Sequence, residues 1–474
     1  MIILSYILLF ISVIILCMVY YYLFIMGTVS FYEFAYLLSH RLGSGGSGTV
    51  VLETILSCFW PFMIFTLIFA LLSIFVFKSP KKKLIFSIIV LLASLLALVK
   101  SVKLDEYIIN KSKQTDIYEK YYVDTNNVNV TLPKEKRNLI IIYLESMEAS
   151  LFSKENGGAF DNSIIPELEE IAKNNLSFSN TNLLGGGYTL TSTSFTISSI
   201  TASTTGTPVN IKLFDGYTKE KPFMKNVKSL GNILSDNGYN LELIQGSEKE
   251  FGALDLYSID NGDFKVFDNN TAKEKGLVNQ DYFEWWGIED KKVLEFSKDE
   301  LKELASSDKP FMMMLFTMDT HFKDGYQDKT CEKKYDEPLA NAYSCSSKMV
   351  SEYLDWLKTQ DFYSKTTIVL MGDHQVMQDS FYNDSKDYDR VIYNSFINSV
   401  KSGNNFNRKF SQYDMYPTIL ASIGANIPGN KLGFGVNLFS GEKTMIEELG
   451  KDKFDEELLK SSEYYDKYIF IKNN

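Results

Sequence analysis

The chain has 474 residues and a formal net charge of −11. Its length exceeds one ordinary domain, and the acidic balance leaves no basic surplus for a face that grips a phosphate backbone, which excludes a nucleic-acid partner. Acidity of this size bears on solubility rather than on fold.

The first hundred residues are membrane-like. Ile2 to Met26 and Ile55 to Phe77 are each long enough to cross a hydrocarbon core of roughly 30 Å, and Leu84 to Leu98 with its flanks is a shorter third candidate. The first span lacks the basic leading region of a cleavable signal peptide and is too long for its apolar core. Lys78, Lys81, Lys82 and Lys83 crowd the connection between the second and third spans, and the positive-inside rule sets that connection in the cytoplasm. By counting, the amino terminus is cytoplasmic, the loop from about Gly27 to Val51 is outside, and everything after the third span is outside. The expected organisation is a membrane domain over 1–101, a juxtamembrane connector over 102–137, and an extracytoplasmic globular domain over 138–474. The tract from Gly43 to Gly48 would let the first outer loop reach that domain or the lipid surface.

From Asn138 onward, short apolar runs alternate with amphipathic stretches, the pattern of an α/β domain around a mainly parallel sheet. Leu139 to Leu144 reads as a strand ending at Glu145, and Pro166 opens a helix rich in early acidic residues. The tract Gly185 to Ser199 is rich in glycine and hydroxyls. Its glycines would let backbone approach a phosphoryl group, and a hydroxyl at a following helix start would sit among free N–H donors. Leu230, Ile233 and Leu234 mark a helix capped near Gly238, and Leu241 to Ile244 is the next strand. Phe311 to Met318 is a strand whose end carries Asp319, Thr320 and His321, and Thr367 to Met371 ends at Gly372, Asp373 and His374. Tyr413 to Ile423 is a helix with Pro417 near its first turn, and the tail from about Lys443 is charged.

Active sites of α/β folds gather at the carboxyl ends of parallel strands. Glu145, Asp373 and His374 there offer two oxygen ligands and one nitrogen, a set suited to Zn²⁺ or Mn²⁺, with a position left for a nucleophile. Cys17 and Cys58 lie in apolar spans, whereas Cys331 and Cys345 lie in the outer domain. An oxidising compartment would let those two close a loop worth about 3 kcal/mol, and two free thiols are the other reading.

The runs Tyr143 to Glu148, Gly187-Tyr188-Thr189, Met318 to Gly325, Gly372-Asp373-His374 and Asp389-Arg390 occur in the order seen in membrane phosphoglycerol transferases. Over roughly Asn138 to Phe439 the chain resembles the periplasmic-glucan type of that family. It is also similar to the wider alkaline-phosphatase and sulfatase superfamily, with its lipoteichoic acid synthases and phosphoethanolamine transferases. The resemblance implies a sulfatase-like extracytoplasmic domain behind three transmembrane helices in a bacterial inner membrane. It implies Glu145, Asp373 and His374 as ligands of one divalent ion, Mn²⁺ or Zn²⁺ with Mg²⁺ open, and Thr189 as fourth ligand and nucleophile, with Thr191 or Ser192 as substitutes. His321 would touch the phosphate or assist the exchanging hydroxyls, while Gln245, Phe251 and Arg390 would line the substrate site. The Cys331 and Cys345 pair sits where similar transferases carry a cysteine pair. No Cys/Ser-x-Pro-x-Arg signature is present, which speaks against sulfate ester hydrolysis.

The implied activity is transfer of glycerol phosphate from phosphatidylglycerol to an extracytoplasmic glycan with release of diacylglycerol. Phosphoethanolamine transfer and lipoteichoic acid synthesis are alternatives, and Glu248, Glu250 and Trp286 would offer a cationic headgroup a face. A membrane-anchored glycan-binding protein without catalysis is the alternative from another class.

Overall fold

A computed structural model describes the chain except residues 28, 41–46, 212, 214, 378–380, 383–387, 404 and 471–474, and the side chains of 47–54. Most of the Gly43 to Gly48 tract therefore lies outside the described residues.

Among the described residues, three helices are long and apolar enough to cross a membrane: Ile2–Met26, Ile55–Val76 and Pro80–Ser101. The third is longer than its apolar core because Ser79 caps it, its side chain accepting from Lys82 N, and Pro80 occupies the first turn, where a missing N–H costs nothing. The four lysines thus stand at a helix start, on the connection assigned to the cytoplasm.

Six strands form the central sheet: β1 (Asn138–Leu144), β2 (Asn240–Ile244), β3 (Lys265–Phe267), β4 (Phe311–Phe316), β5 (Thr366–Gly372) and β6 (Asn394–Ile397), in the order β3-β2-β4-β1-β5-β6. All neighbours run parallel except β5 and β6. The fold is α/β with a mostly parallel central sheet. β1, β4 and β5 are apolar along nearly their whole length because layers cover both faces, so no alternation is needed. Register aligns Tyr143 with Phe316 and Leu144 with Gly372, so the carboxyl ends of the three central strands lie side by side.

The segment 102–137 is partly helical and packs on the globular domain. Helices Leu104–Ser112 and Ile117–Tyr121 fold back, Ile117 and Tyr118 are buried in the main core, and backbone pairs join Val123 to Gly433 and Thr131 to Asn426. The charged tail also folds, as helices Met445–Leu449 and Lys451–Leu459 with Phe454 and Leu458 buried. Pro417 lies in the second turn of helix Gln412–Ser422, deeper than expected.

Candidate active site

Glu145 follows β1, Thr317 to His321 follow β4, and Asp373 and His374 follow β5, so the aligned strand ends deliver all of them to one point. The ligand atoms of Glu145, Asp373 and His374 lie within 4.8 Å of one another, and all three residues are buried. The backbone around them is tied down. Ser146 N donates to Asp373 Oδ1 (2.8 Å) and its hydroxyl to Glu145 Oε1 (2.7 Å), which holds Ser146 at the unusual φ of +52°. Thr317 Oγ1 accepts from Glu145 N, and Thr320 Oγ1 donates to the Glu145 carbonyl (2.5 Å).

His374 fits a cation. Its Nδ1 is 2.9 Å from the Gln375 carbonyl, which can only accept, so Nδ1 carries the proton and Nε2 presents its lone pair. That lone pair faces Asp373 Oδ2 at 3.3 Å and Glu145 Oε1 at 3.6 Å. Three electron-rich atoms converge, and only a proton or a metal ion between them relieves the repulsion. Burial alone would lower the His374 pKa, yet the Asp373 and Glu145 carboxylates outweigh it and raise it to about 9. Burial and the Glu145 charge push Asp373 up to about 6. A divalent ion held by these three residues would take the proton's place.

The hydroxyl beside this cluster belongs to Thr196, not Thr189. Thr196 Oγ1 lies 3.4 Å from His374 Nε2, and Thr196 lines a cavity with Glu145, Asp373, His321, Gln245 and Phe251. Its volume, about 20 Å³, admits an ion or one water, so a headgroup must widen it to bind. Thr196 is the first residue of helix Thr196–Thr205, where backbone N–H groups are free to meet an anion. The Thr189 hydroxyl is buried, has no hydrogen-bond partner among the described residues, and does not line the cavity. Thr191 binds Asp455, and Ser192 pairs with Tyr413.

The glycines before it serve protein packing rather than a phosphoryl group. A Cβ on Gly186 would stand 1.8 Å from the Ile392 carbonyl, and one on Gly187 would strike the Phe410 ring. The hydroxyl-rich run beyond Thr196 is a wholly buried helix from Ile197 to Thr205. Thr201, Ser203, Thr204 and Thr205 each donate back to a carbonyl four residues earlier, so polar side chains are buried satisfied. Ser199 and Gln412 both donate to the Asp373 carbonyl, locking this helix against the β5 loop.

His321 lies across the cavity under Trp286, ring centroids 4.5 Å apart, and Trp286 also meets Phe251 at 5.9 Å. Burial holds the His321 pKa down to about 4, so it is neutral at physiological pH. Its Nδ1 faces the Phe322 carbonyl at 2.7 Å, which leaves Nε2 as the acceptor. Gln245 lines the cavity while its amide donates to the Glu248 carbonyl. Arg390 is elsewhere. It grips the buried Glu148 carboxylate (2.9 Å and 2.5 Å) and the Val376 carbonyl, bracing the loop after His374 rather than lining the cavity. Cys331 and Cys345 form a disulfide with an S–S length of 2.04 Å.

Sequence reasoning named Thr196 and Glu148 only within longer runs, with no role of their own, and did not name Gln412. The spacing of Ile197 and Ile200 was the available signal for a helix beginning at Thr196. Glu148 had none, since its partner is 242 residues away.

The family model described as Sulfatase matches residues 137–425. Phosphoglycerol transferase I of Escherichia coli (strain SMS-3-5 / SECEC) is 30% identical over 322 residues, covering 66% of this chain and 40% of the relative. The chain thus spans about two fifths of the length of the curated relatives it matches. Among solved structures, the lipoteichoic acid synthase LtaP from Listeria monocytogenes is similar with a TM-score of 0.50 at 16% identity, over 66% of this chain and 79% of that one. The integral membrane lipooligosaccharide phosphoethanolamine transferase A (EptA) from Neisseria meningitidis gives 0.51 at 14% identity, over 87% of this chain and 84% of that one. At these identities the structural likeness concerns the fold.

Proposed function

The chain belongs to the sulfatase family, and within it we propose that this member transfers a glycerol phosphate group from phosphatidylglycerol to a hydroxyl of an extracytoplasmic glycan. The observation that carries the reading is Thr196 Oγ1 at a helix start, 3.4 Å from His374 Nε2 and beside Glu145 and Asp373. The name of the 30% identical relative supplies the substrate class.

Glu145, Asp373 and His374 would hold one divalent ion, Mn²⁺ or Zn²⁺, with Thr196 beside it. Such an ion lowers the pKa of a neighbouring hydroxyl and neutralises charge on phosphoryl oxygens. Thr196 Oγ attacks phosphorus, the bond to the diacylglycerol oxygen breaks, and that oxygen leaves with a proton as free diacylglycerol. The helix N–H groups at Thr196 and Ile197 face the phosphoryl oxygens. The sugar hydroxyl then attacks phosphorus, frees Thr196 and surrenders its proton. His321 Nε2, a neutral acceptor at the cavity wall, is placed to receive it. Two displacements at fixed geometry make this chiefly positioning and electrostatics.

The membrane helices keep the domain where its lipid donor resides, and the disulfide suits an outer, oxidising face. The test is purified full-length protein in vesicles of phosphatidylglycerol labelled in the headgroup, with Mn²⁺ and a glycan acceptor. Diacylglycerol release with label moving to the glycan is expected. Label in water alone would mean a hydrolase, and label in a growing glycerol phosphate chain would mean a polymer synthase.

A further inference from the structure

The first outer loop, between the first two membrane spans, does not hang free. Its helix Phe31–Ser39 is pinned to the catalytic domain on several sides. The Tyr36 ring packs on Phe195, the residue before Thr196, at 5.1 Å, and its hydroxyl donates to the Gly252 carbonyl (2.8 Å), next to cavity-lining Phe251. His40 Nε2 accepts from Tyr217 N at 2.8 Å. Phe31 and Ala35 share an apolar cluster with Tyr107 and with Met377, three residues beyond His374. The helix therefore roofs the site, touching Phe195 ahead of the Thr196 hydroxyl, Met377 past the β5 loop, and the backbone beside the Phe251 wall.

Glu33 lies one turn before Tyr36, on the same face. It is 6% exposed, and among the described residues its carboxylate has no hydrogen-bond partner. Its electrostatic neighbours are His374 and Glu145, two of the three residues suited to the cation. A largely buried carboxylate in electrostatic reach of that cluster, with no protein partner among the described residues, can receive a ligand group. Glu145 and Asp373 already offer two acids to such a cation, so a third is surplus to that set.

Resting on the donor reading above, we propose that Glu33 is a specificity-determining residue that binds the free hydroxyls of the donor's glycerol headgroup, so that the membrane domain supplies part of the active site. Each carboxylate oxygen of Glu33 can accept a hydrogen bond from a neutral hydroxyl. A vicinal diol offers two such hydroxyls, matching the two carboxyl oxygens.

The experiment compares full-length wild type, Glu33→Ala and Glu33→Gln on phosphatidylglycerol and on phosphatidylpropanol, which lacks both free hydroxyls. Diacylglycerol release is measured, and bound metal by elemental analysis. Wild type should favour phosphatidylglycerol by about tenfold or more in kcat/KM, the discrimination of a site built to bind a hydroxyl. Glu33→Ala should erase that ratio, slowing the glycerol lipid while leaving phosphatidylpropanol within about threefold. Glu33→Gln, which keeps an acceptor, should recover part of it. Equal losses on both lipids would overturn the inference, as would a fall in bound metal, which would make Glu33 a ligand. The wild-type arm alone judges the donor: turnover of phosphatidylethanolamine without phosphatidylglycerol would end that reading and the diol contact with it.

Discussion

At the scale of single residues, the site turns on which of two threonines meets the cluster. Thr196→Ala should lower diacylglycerol release by about a thousandfold or more, because the covalent route is lost, with melting temperature little changed. Thr189→Ala should keep most turnover, since its hydroxyl makes no bond to lose. The reverse outcome in the vesicle assay would return the role to Thr189. His374 makes a second prediction. Its pKa is raised to about 9, so below that pH a proton competes with the cation. Apparent metal affinity should therefore climb as pH rises from 6 towards about 9 and then level, with close to one proton released per ion. Isothermal titration in buffers of different ionisation enthalpy reads that proton count, and an affinity flat with pH would refute the ligand role of His374. Asp373→Ala should lose metal and activity together.

Among elements, the braces behind the ligand loops matter most. Glu148 is fully buried and receives Arg390, Ser150 and Val376 N, so it holds the strand-end turn after β1 to the loop after β5. Arg390→Ala would strand a buried carboxylate and should cost about 3–5 kcal/mol, read as a fall in unfolding temperature with a weaker metal site. If Arg390 instead lines the substrate site, KM will rise with stability unchanged. How far these elements were legible depends on how local their signals are. β1, β4 and β5 announce themselves because strands covered on both faces are continuous apolar runs ending at Glu145, Asp319 and Asp373. The Gly185 to Ser199 tract does hold a hydroxyl at a helix start, Thr196, but its glycines misled, since Gly186 makes room for the Ile392 carbonyl, and Ser203 and Thr204 beyond the tract close hydrogen bonds on their own helix. Low helix propensity is overridden by burial, which no composition count reveals. Arg390 misled because its partner is set by tertiary structure alone. Glu33 could not be found from its neighbours in sequence, since its helix gains meaning only when it reaches the domain.

For the whole molecule, the disulfide and the lysine cluster should lie on opposite sides of one bilayer. In intact cells, a membrane-impermeant reductant followed by an impermeant alkylating reagent should label Cys331 and Cys345, and peptide mapping without reductant should find them linked. Labelling of the Lys78 to Lys83 connection from outside would invert the topology. The globular domain meets the membrane region twice, through the third span running on into Leu104–Ser112, and through the first outer loop seated at Tyr217 and Gly252. A body moored by one rope swings through a wide arc, whereas a second mooring removes most of that swing and fixes which way its opening looks. The site then samples only lipid diffusing in its own sheet, and the controlling variable becomes the donor's mole fraction in that sheet rather than its bulk concentration. Protein in vesicles lacking phosphatidylglycerol should accordingly stay idle when phosphatidylglycerol vesicles are mixed in, and should start only on fusion.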